Sequence, residues 1–246
     1  TRTELDFLCR VIESVIDVGA TTINLPDTVG YSTPDEISEF FIHIRKRVPN
    51  ADGIVFSTHC HDDLGLAVAN TLAALRAGVR QVECTINGIG ERAGNASLEE
   101  IVMATRVRND LLPYATGIQT EAIYAASQLL TTLTNEPVQA NKAIVGRNAF
   151  AHEAGIHQDG MLKDRRTYEI MRPEDVGVPK TTLVLGKHSG RHAVQSRCEE
   201  LGQQLSRYEL DRIYQAMIRL ADEQKTVGDD DLQKVINHVK AEQVEV

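Results

Sequence analysis

The stretch VGATTINL at residues 18–25 is echoed by AGVRQVEC at 77–84, and this recurrence limits what the chain can fold into more than any other feature. In each copy an apolar-periodic segment meets a glycine, then a short run rich in β-branched residues, then a polar loop. Glycine after such a segment reads as a helix stop, because it takes a left-handed backbone without a Cβ penalty. Strands expected to start near 21, 54 and 81 stand 33 and 27 residues apart. Spacings of that size suit strand–helix–strand units and hence a parallel sheet in an α/β fold.

The segments between the strands carry helix signals. Leu5, Leu8, Val11, Ile12, Val15 and Ile16 fall at three- and four-residue spacing over 3–17. Thr33, Pro34 and Glu36 supply an N-cap, a first-turn proline and a capping-box acid for a helix over 34–47. Further helices are expected over 64–77, over 97–109 with a Ser97/Glu100 capping box, and over 120–134. Beyond them, 191–198, 207–221 and 229–241 read as a helical tail. Three strands cannot close an eight-stranded barrel, so the sheet is either a small open one or part of a larger one.

Chemistry concentrates where two of the strands end. Ile54, Val55 and Phe56 open an apolar run that leads into His59-Cys60-His61-Asp62-Asp63. Side chains alternate along a strand, so His59 and His61 point to one side and Cys60 to the other. Two imidazoles on one side can share a metal, although a strand histidine is also an ordinary rim residue. Asp62 and Asp63 open the helix that follows and read as caps rather than ligands. The strand expected over 81–86 runs into Asn87-Gly88-Ile89-Gly90-Glu91-Arg92-Ala93-Gly94-Asn95, a second polar loop on the same edge. Ligands in α/β folds collect at the carboxyl ends of parallel strands.

Composition narrows the class. Over 246 residues, 42% hydrophobic content suffices for a sizeable core, and a net charge of -9 with no basic, aromatic-laced stripe opposes nucleic-acid binding. Cysteines at 9, 60, 84 and 198 lack metal or disulfide spacing, which points to free thiols and a cytoplasmic protein. No apolar run approaches the roughly 20 residues of a membrane helix, and no signal peptide is visible. The chain begins at Thr1 within what reads as a helix, as a fragment would.

STHCHDDLGLAVAN and NGIGERAGNASLEE together resemble the signature of the acyl-CoA-condensing synthases built on a TIM barrel, the family of 2-isopropylmalate, homocitrate and citramalate synthases. INLPDTVGY resembles that family's sixth barrel strand, and NKAIVGRNAFAHEAGIHQDGMLKDRRTYEIMRPEDVGV at 141–178 resembles its link to a small helical subdomain. The resemblance implies an α/β fold: strands six to eight of a (β/α)8 barrel followed by a helical subdomain. The divisions expected are a partial barrel over 1–115, a linker and small subdomain over 116–185, and a helical subdomain over 186–246. The family's earlier strands and its regulatory domain have no counterpart here.

By motif position the resemblance implies a divalent metal, Mn, Zn, Co or Mg, on His59, His61 and Asn95. The family's strand-one Asp ligand has no match. It further implies His157 as acid/base, Tyr168 orienting it or a water, and the Thr28 hydroxyl on the carboxylate of a 2-oxo acid. Glu91 and Arg92 are expected to pair behind Asn95, and Lys142, Arg147, Lys163, Arg165, Arg166, Lys187, His188 and Arg191 are cations available to coenzyme A phosphates. The implied reaction is condensation of acetyl-CoA with a 2-oxo acid by a homodimer, and the 141–178 stretch favours 3-methyl-2-oxobutanoate over the homocitrate and citramalate substrates. Two other readings stand beside it: a non-catalytic piece acting at most in binding or dimerisation, and a barrel metal hydrolase.

Overall fold

The structure, a computed structural model, describes residues 1–151, 160, 164, 167–179, 185–186, 189–224 and 226–244. The chain divides into two compact units, Thr1–Val138 with Ala143–Val145, and Gln139–Lys142 with Gly146–Val246.

The first unit is built on three parallel strands, β1 (Thr22–Asp27), β2 (Val55–Cys60) and β3 (Gln81–Glu83), in that spatial order. Five helices accompany them: α1 (Leu5–Asp17), α2 (Pro34–Arg47), α3 (Ala67–Arg76), α4 (Leu98–Val107) and α5 (Ile123–Thr134). The echo seen in the sequence is a repeated piece of geometry. After α1, Gly19 and Ala20 donate back to Ile16 and Val15; after α3, Gly78 and Val79 donate back to Leu75 and Ala74. Both glycines sit at φ +105°. The same stop before β1 and β3 turns each helix into its strand in the same way.

Alternation then separates the two faces of the sheet. Ile23, Leu25 and Phe56 face the helices, where Phe41 packs edge-on to Phe56 at 6.3 Å among Ile12, Ile37, Ile44 and Val79. The opposite face is polar and is organised by register. Asn24, Ser57 and Gln81 form one row, with Gln81 Nε2 donating to Ser57 Oγ at 3.2 Å. Pro26, His59 and Glu83 form the next row toward the carboxyl ends.

Several expected boundaries move. α3 begins at Ala67, because Gly65 at φ +71° extends the loop after the histidines, and Asp62 Oδ1 accepts the Ala67 N–H at 2.9 Å. The third strand stops at Glu83, since residues 86–88 close into a 3-10 turn with Asn87 at φ 60°. Glu36 accepts from both the N–H and the hydroxyl of Thr33, as the capping signal requires. Ser97 holds the N-cap of α4 without a side-chain cap bond; the Leu98 N–H is taken instead by the Thr85 carbonyl at 2.9 Å.

Among its described residues the second unit carries the long helices α6 (Arg191–Glu200), α7 (Arg207–Gln224) and α8 (Asp229–Val244). It also holds an antiparallel pair that helical periodicity did not reveal, β4 (Leu185–Gly186) with β5 (Thr226–Val227). Two residues per strand leave no period to read. Ala193, Val194, Cys198, Ile213, Met217, Leu232 and Ile236 form a dry core with Leu185 and Val227. Ser206 and Glu209 cap α7 reciprocally, with Ser206 N–H to Glu209 Oε2 at 2.7 Å and Glu209 N–H to Ser206 Oγ at 3.2 Å. No described helix is long and apolar enough to cross a membrane.

Candidate metal centre

The two polar loops meet at the carboxyl end of the sheet. His61 and Asn95 form an isolated antiparallel bridge, the Asp62 N–H donates to the Gly94 carbonyl at 3.0 Å, and the Ala96 N–H donates to Cys60 at 3.0 Å. Residues 34 positions apart in sequence are thus tied backbone to backbone. Tight packing inside the second loop explains its glycines. A Cβ on Gly94, which sits at φ +91°, would collide with the Gly88 carbonyl, and one on Gly90 would collide with the Asn95 amide nitrogen.

His59 and His61 lie on one side, as alternation requires. Their ring centroids are 5.0 Å apart and the two Nε2 atoms 3.4 Å apart. Two nitrogens bound to one ion at about 2.1 Å, at tetrahedral or right angles, would stand roughly 3.0–3.4 Å apart. The Asn95 amide donates through Nδ2 to the Ile89 carbonyl at 3.0 Å, which leaves Oδ1 as its acceptor, and that oxygen is buried without a hydrogen-bond partner. A buried polar atom left unpaired calls for an explanation, and two imidazoles together with the amide oxygen of the residue bridged to His61 make a mixed N/O donor set of the kind that borderline divalent ions accept. The residues present fit such an ion. Among the described residues no group of three or more His, Cys, Asp or Glu side chains gathers at metal-binding distance.

Cys60 is not part of this set. It lies on the opposite face against Ala67, Ala96 and Ile101, and burial pushes its thiol up, away from the thiolate that binds metals.

The three loops are clasped from outside. Arg92, itself at φ 55°, donates through Nε to Asp63 Oδ1 at 2.9 Å and through Nη2 to the Thr28 carbonyl at 2.7 Å. This guanidinium holds the Asp63 carboxyl below its usual range. Arg92 thus reaches past its sequence neighbour Glu91, whose charge also acts on it, to the loops after β1 and β2. The loop after β1 is held from inside as well. Buried Asp27 accepts the Ser32 N–H at 3.1 Å, and the Ser32 carbonyl accepts from Asn70 Nδ2 on α3 at 2.8 Å. Thr28 is exposed within this braced loop.

Alternation and motif spacing missed two acids. Glu83 Oε2 lies 3.0 Å from His59 Nδ1. Glu99 is buried on α4 and accepts the Asn87 N–H at 3.0 Å, fixing the entry to the Gly-rich loop. The register of β3 against β2 was the signal for Glu83, and that register appears only on folding.

In the second unit Tyr168 is part exposed, and Gly160 lies against its ring, where an added Cβ would come 2.5 Å from Cε2. The GIHQDG and RTYEIM motifs therefore meet through Gly160 and Tyr168. His157 lies outside the described residues, as do Lys163, Arg165, Arg166, Lys187 and His188. Arg191 pairs with Asp211 at 3.0 Å and covers the Tyr214 ring at 5.4 Å.

Comparison with known proteins gives this geometry a lineage. The profile described as HMGL-like matches residues 1–130, and the one described as homocitrate synthase post-HMGL domain-like matches residues 144–225. A 2-isopropylmalate synthase of Methylobacterium nodulans is 62% identical over 237 residues, covering 96% of this chain and 46% of the relative. One from Carboxydothermus hydrogenoformans is 61% identical over 236 residues, with the same coverage of both. The chain thus spans about half the length of the curated relatives it matches. Among solved structures, the HMG-CoA lyase of Bacillus subtilis is 22% identical with a TM-score of 0.49, over 61% of this chain and 48% of that one. A likeness at that level adds nothing to the strand topology described above. With its three parallel strands and both polar loops inside the matched region, the chain belongs to the HMGL-like family and is similar over nearly its whole length to 2-isopropylmalate synthases.

Proposed function

We propose that this chain is the later part of the catalytic region of a 2-isopropylmalate synthase, an acyltransferase that condenses acetyl-CoA with 3-methyl-2-oxobutanoate in leucine biosynthesis. β1, β2 and β3 correspond on this reading to strands six to eight of a TIM barrel, within a partial barrel over 1–115. Residues 116–185 are the linker and small subdomain, and 186–246 the helical subdomain. The observation that most supports the reading is the bridge between His61 and Asn95, which brings the HxH and Gly-rich motifs to one point with the histidine Nε2 atoms 3.4 Å apart.

His59, His61 and Asn95 hold a divalent metal in this proposal, Mn, Zn, Co or Mg. Bound there, the ion supplies Lewis-acid polarisation of the oxo-acid ketone. The Thr28 hydroxyl donates to the oxo-acid carboxylate, on a loop kept in place by Arg92 and Asp27. His157 takes a proton from the acetyl methyl group, that carbon bonds to the ketone carbon as the C=O π bond opens, and the resulting alkoxide takes the proton back from His157. Water, oriented by Tyr168, then adds its oxygen to the thioester carbon, the C–S bond breaks, and the coenzyme A sulfur leaves as the thiol with a proton from that water. The intact enzyme acts as a homodimer.

Calorimetric titration with Zn and Mn, with and without 3-methyl-2-oxobutanoate, tests the centre. Stoichiometric binding that the oxo acid tightens, and that His59→Ala and Asn95→Ala each abolish, is the expected result. Binding that survives both substitutions would overturn the ligand assignment. Thiol release from acetyl-CoA, compared across 3-methyl-2-oxobutanoate, 2-oxoglutarate and pyruvate, separates the isopropylmalate reading from the homocitrate and citramalate ones.

A further inference from the structure

We infer that Glu83 is the positioning residue of the centre: by accepting a hydrogen bond from His59 Nδ1 it fixes the ring tautomer that leaves Nε2 free to bind a metal. The inference rests on the proposed role of His59, His61 and Asn95 and extends it to a residue no motif singled out.

Three observations carry it. Register comes first. His59 on β2 is paired with Glu83 on β3, so both side chains leave the same polar face in one row. The second is the contact itself, 3.0 Å between Glu83 Oε2 and His59 Nδ1. A carboxylate oxygen can only accept, so the favourable form of this contact has the proton on Nδ1. The neutral imidazole then carries its lone pair on Nε2, the atom that stands 3.4 Å from its counterpart on His61. A histidine ring free in water prefers the other tautomer, with the proton on Nε2, where it would block the metal. A hydrogen bond at the far nitrogen is the general way of selecting between them.

The third observation is the contrast with His61. Its Nδ1 is buried and has no hydrogen-bond partner. His61 is oriented through its backbone instead, by the N–H bond to the Asp27 carbonyl at 3.3 Å and the bridge to Asn95. His59 has a carboxylate for that task. The Glu83 side chain is 46% exposed and the His59 side chain 27%. A pair so open to water contributes little to stability, and its consequence lies in orientation.

Long-range proton–nitrogen NMR on histidine-labelled, metal-free protein reads the tautomer directly. The expected result is His59 with the proton on Nδ1 in the wild type and in Glu83→Gln, whose amide oxygen accepts the same bond. In Glu83→Ala the population should move toward the proton on Nε2. Zn titration should then show affinity reduced by about 10–100-fold in Glu83→Ala and by less than about tenfold in Glu83→Gln. Glu83→Met, similar in length but a poor acceptor, gives the same contrast if the alanine variant folds badly. A wild-type ring protonated on Nε2, an unchanged tautomer in Glu83→Ala and Glu83→Met, or equal Zn affinity across the set would each overturn the inference. Failure of the wild type to bind Zn or Mn at all would instead sink the proposed metal centre, while the tautomer comparison would still decide whether Glu83 orients the ring.

Discussion

The sheet unit and the helical unit solve the same problem, a buried core, with different tolerance for unpaired polar atoms. In the helical unit the described core is Leu185, Val194, Cys198, Ile213, Met217, Leu232 and Ile236 with no polar side chain among them. Among its described residues the most buried charge, Arg197, is paired with Asp229 and Glu200. The sheet unit instead buries His61 Nδ1, Asn95 Oδ1, Asn50 Oδ1, Asn70 Oδ1, Asn87 Oδ1, Ser127 Oγ and Thr131 Oγ1 without hydrogen-bond partners, and no described residue of the helical unit does the like. Unpaired buried groups cost roughly 1–3 kcal/mol each. A fold tolerates them where their positions serve something other than stability, and two of these seven, His61 Nδ1 and Asn95 Oδ1, belong to the candidate centre. The described core of the helical unit is apolar, whereas the strand ends keep polar atoms buried and unpaired.

The largest effect should come from cutting the dry core. Ile236 is fully buried, and Ile236→Ala should lower stability by about 2–5 kcal/mol in a denaturant titration. A loss under about 1 kcal/mol would mean that the helical core is not packed as described.

Alkali probes the same core without mutation. Burial pushes the Cys198 thiol up from 9.0 to about 11. The folded state thus favours the protonated thiol, and the stability this supplies is complete below pH 9 and disappears as pH rises through about 11. The difference corresponds to roughly 3 kcal/mol at most. Melting curves from pH 8 to 11 should fall more steeply for the wild type than for Cys198→Ala, and parallel curves would contradict the assignment.

At the strand ends the sign changes. Asn95→Ala removes a buried acceptor that has no partner, while the Ile89 carbonyl keeps its bond from the Thr85 hydroxyl at 2.7 Å. Stability should stay within about 1 kcal/mol of the wild type, while Zn binding is lost. If Asn95→Ala unfolds the protein, the contrast between the two regions fails.

Arg92→Ala should have the smallest effect. The guanidinium is exposed, so the melting temperature should hold. Amide hydrogen exchange in residues 28–33 and 88–95 should accelerate, because the clasp between three loops is gone. Unchanged exchange would mean that the backbone bridges alone secure the edge.

Much of this was legible before folding. Thr33 and Glu36 announced α2 because a capping box is a local contact, formed within one turn. Gly19 and Gly78 announced the ends of α1 and α3 for the same reason, and strict alternation put His59 and His61 on one side. Shorter elements were less visible. β3 has three residues and β4 and β5 two each, too few for a period, so 81–86 read as longer than it is and the antiparallel pair went unseen. Arg92 read as the neighbour of Glu91 because proximity in sequence was the only proximity available.

The amino-acid sequence by itself determined the parallel α/β organisation, the helix stops and the face that carries the imidazoles. These follow from backbone preferences and side-chain periodicity, which act over a few residues. Tertiary structure decided which groups surround those imidazoles. Glu83 reaches His59 through strand register, Asn95 reaches His61 through a bridge between loops 34 residues apart, and Arg92 reaches Asp63 and Thr28 across the sheet edge. Contacts of that kind depend on how strands align and loops close, and no local preference encodes them.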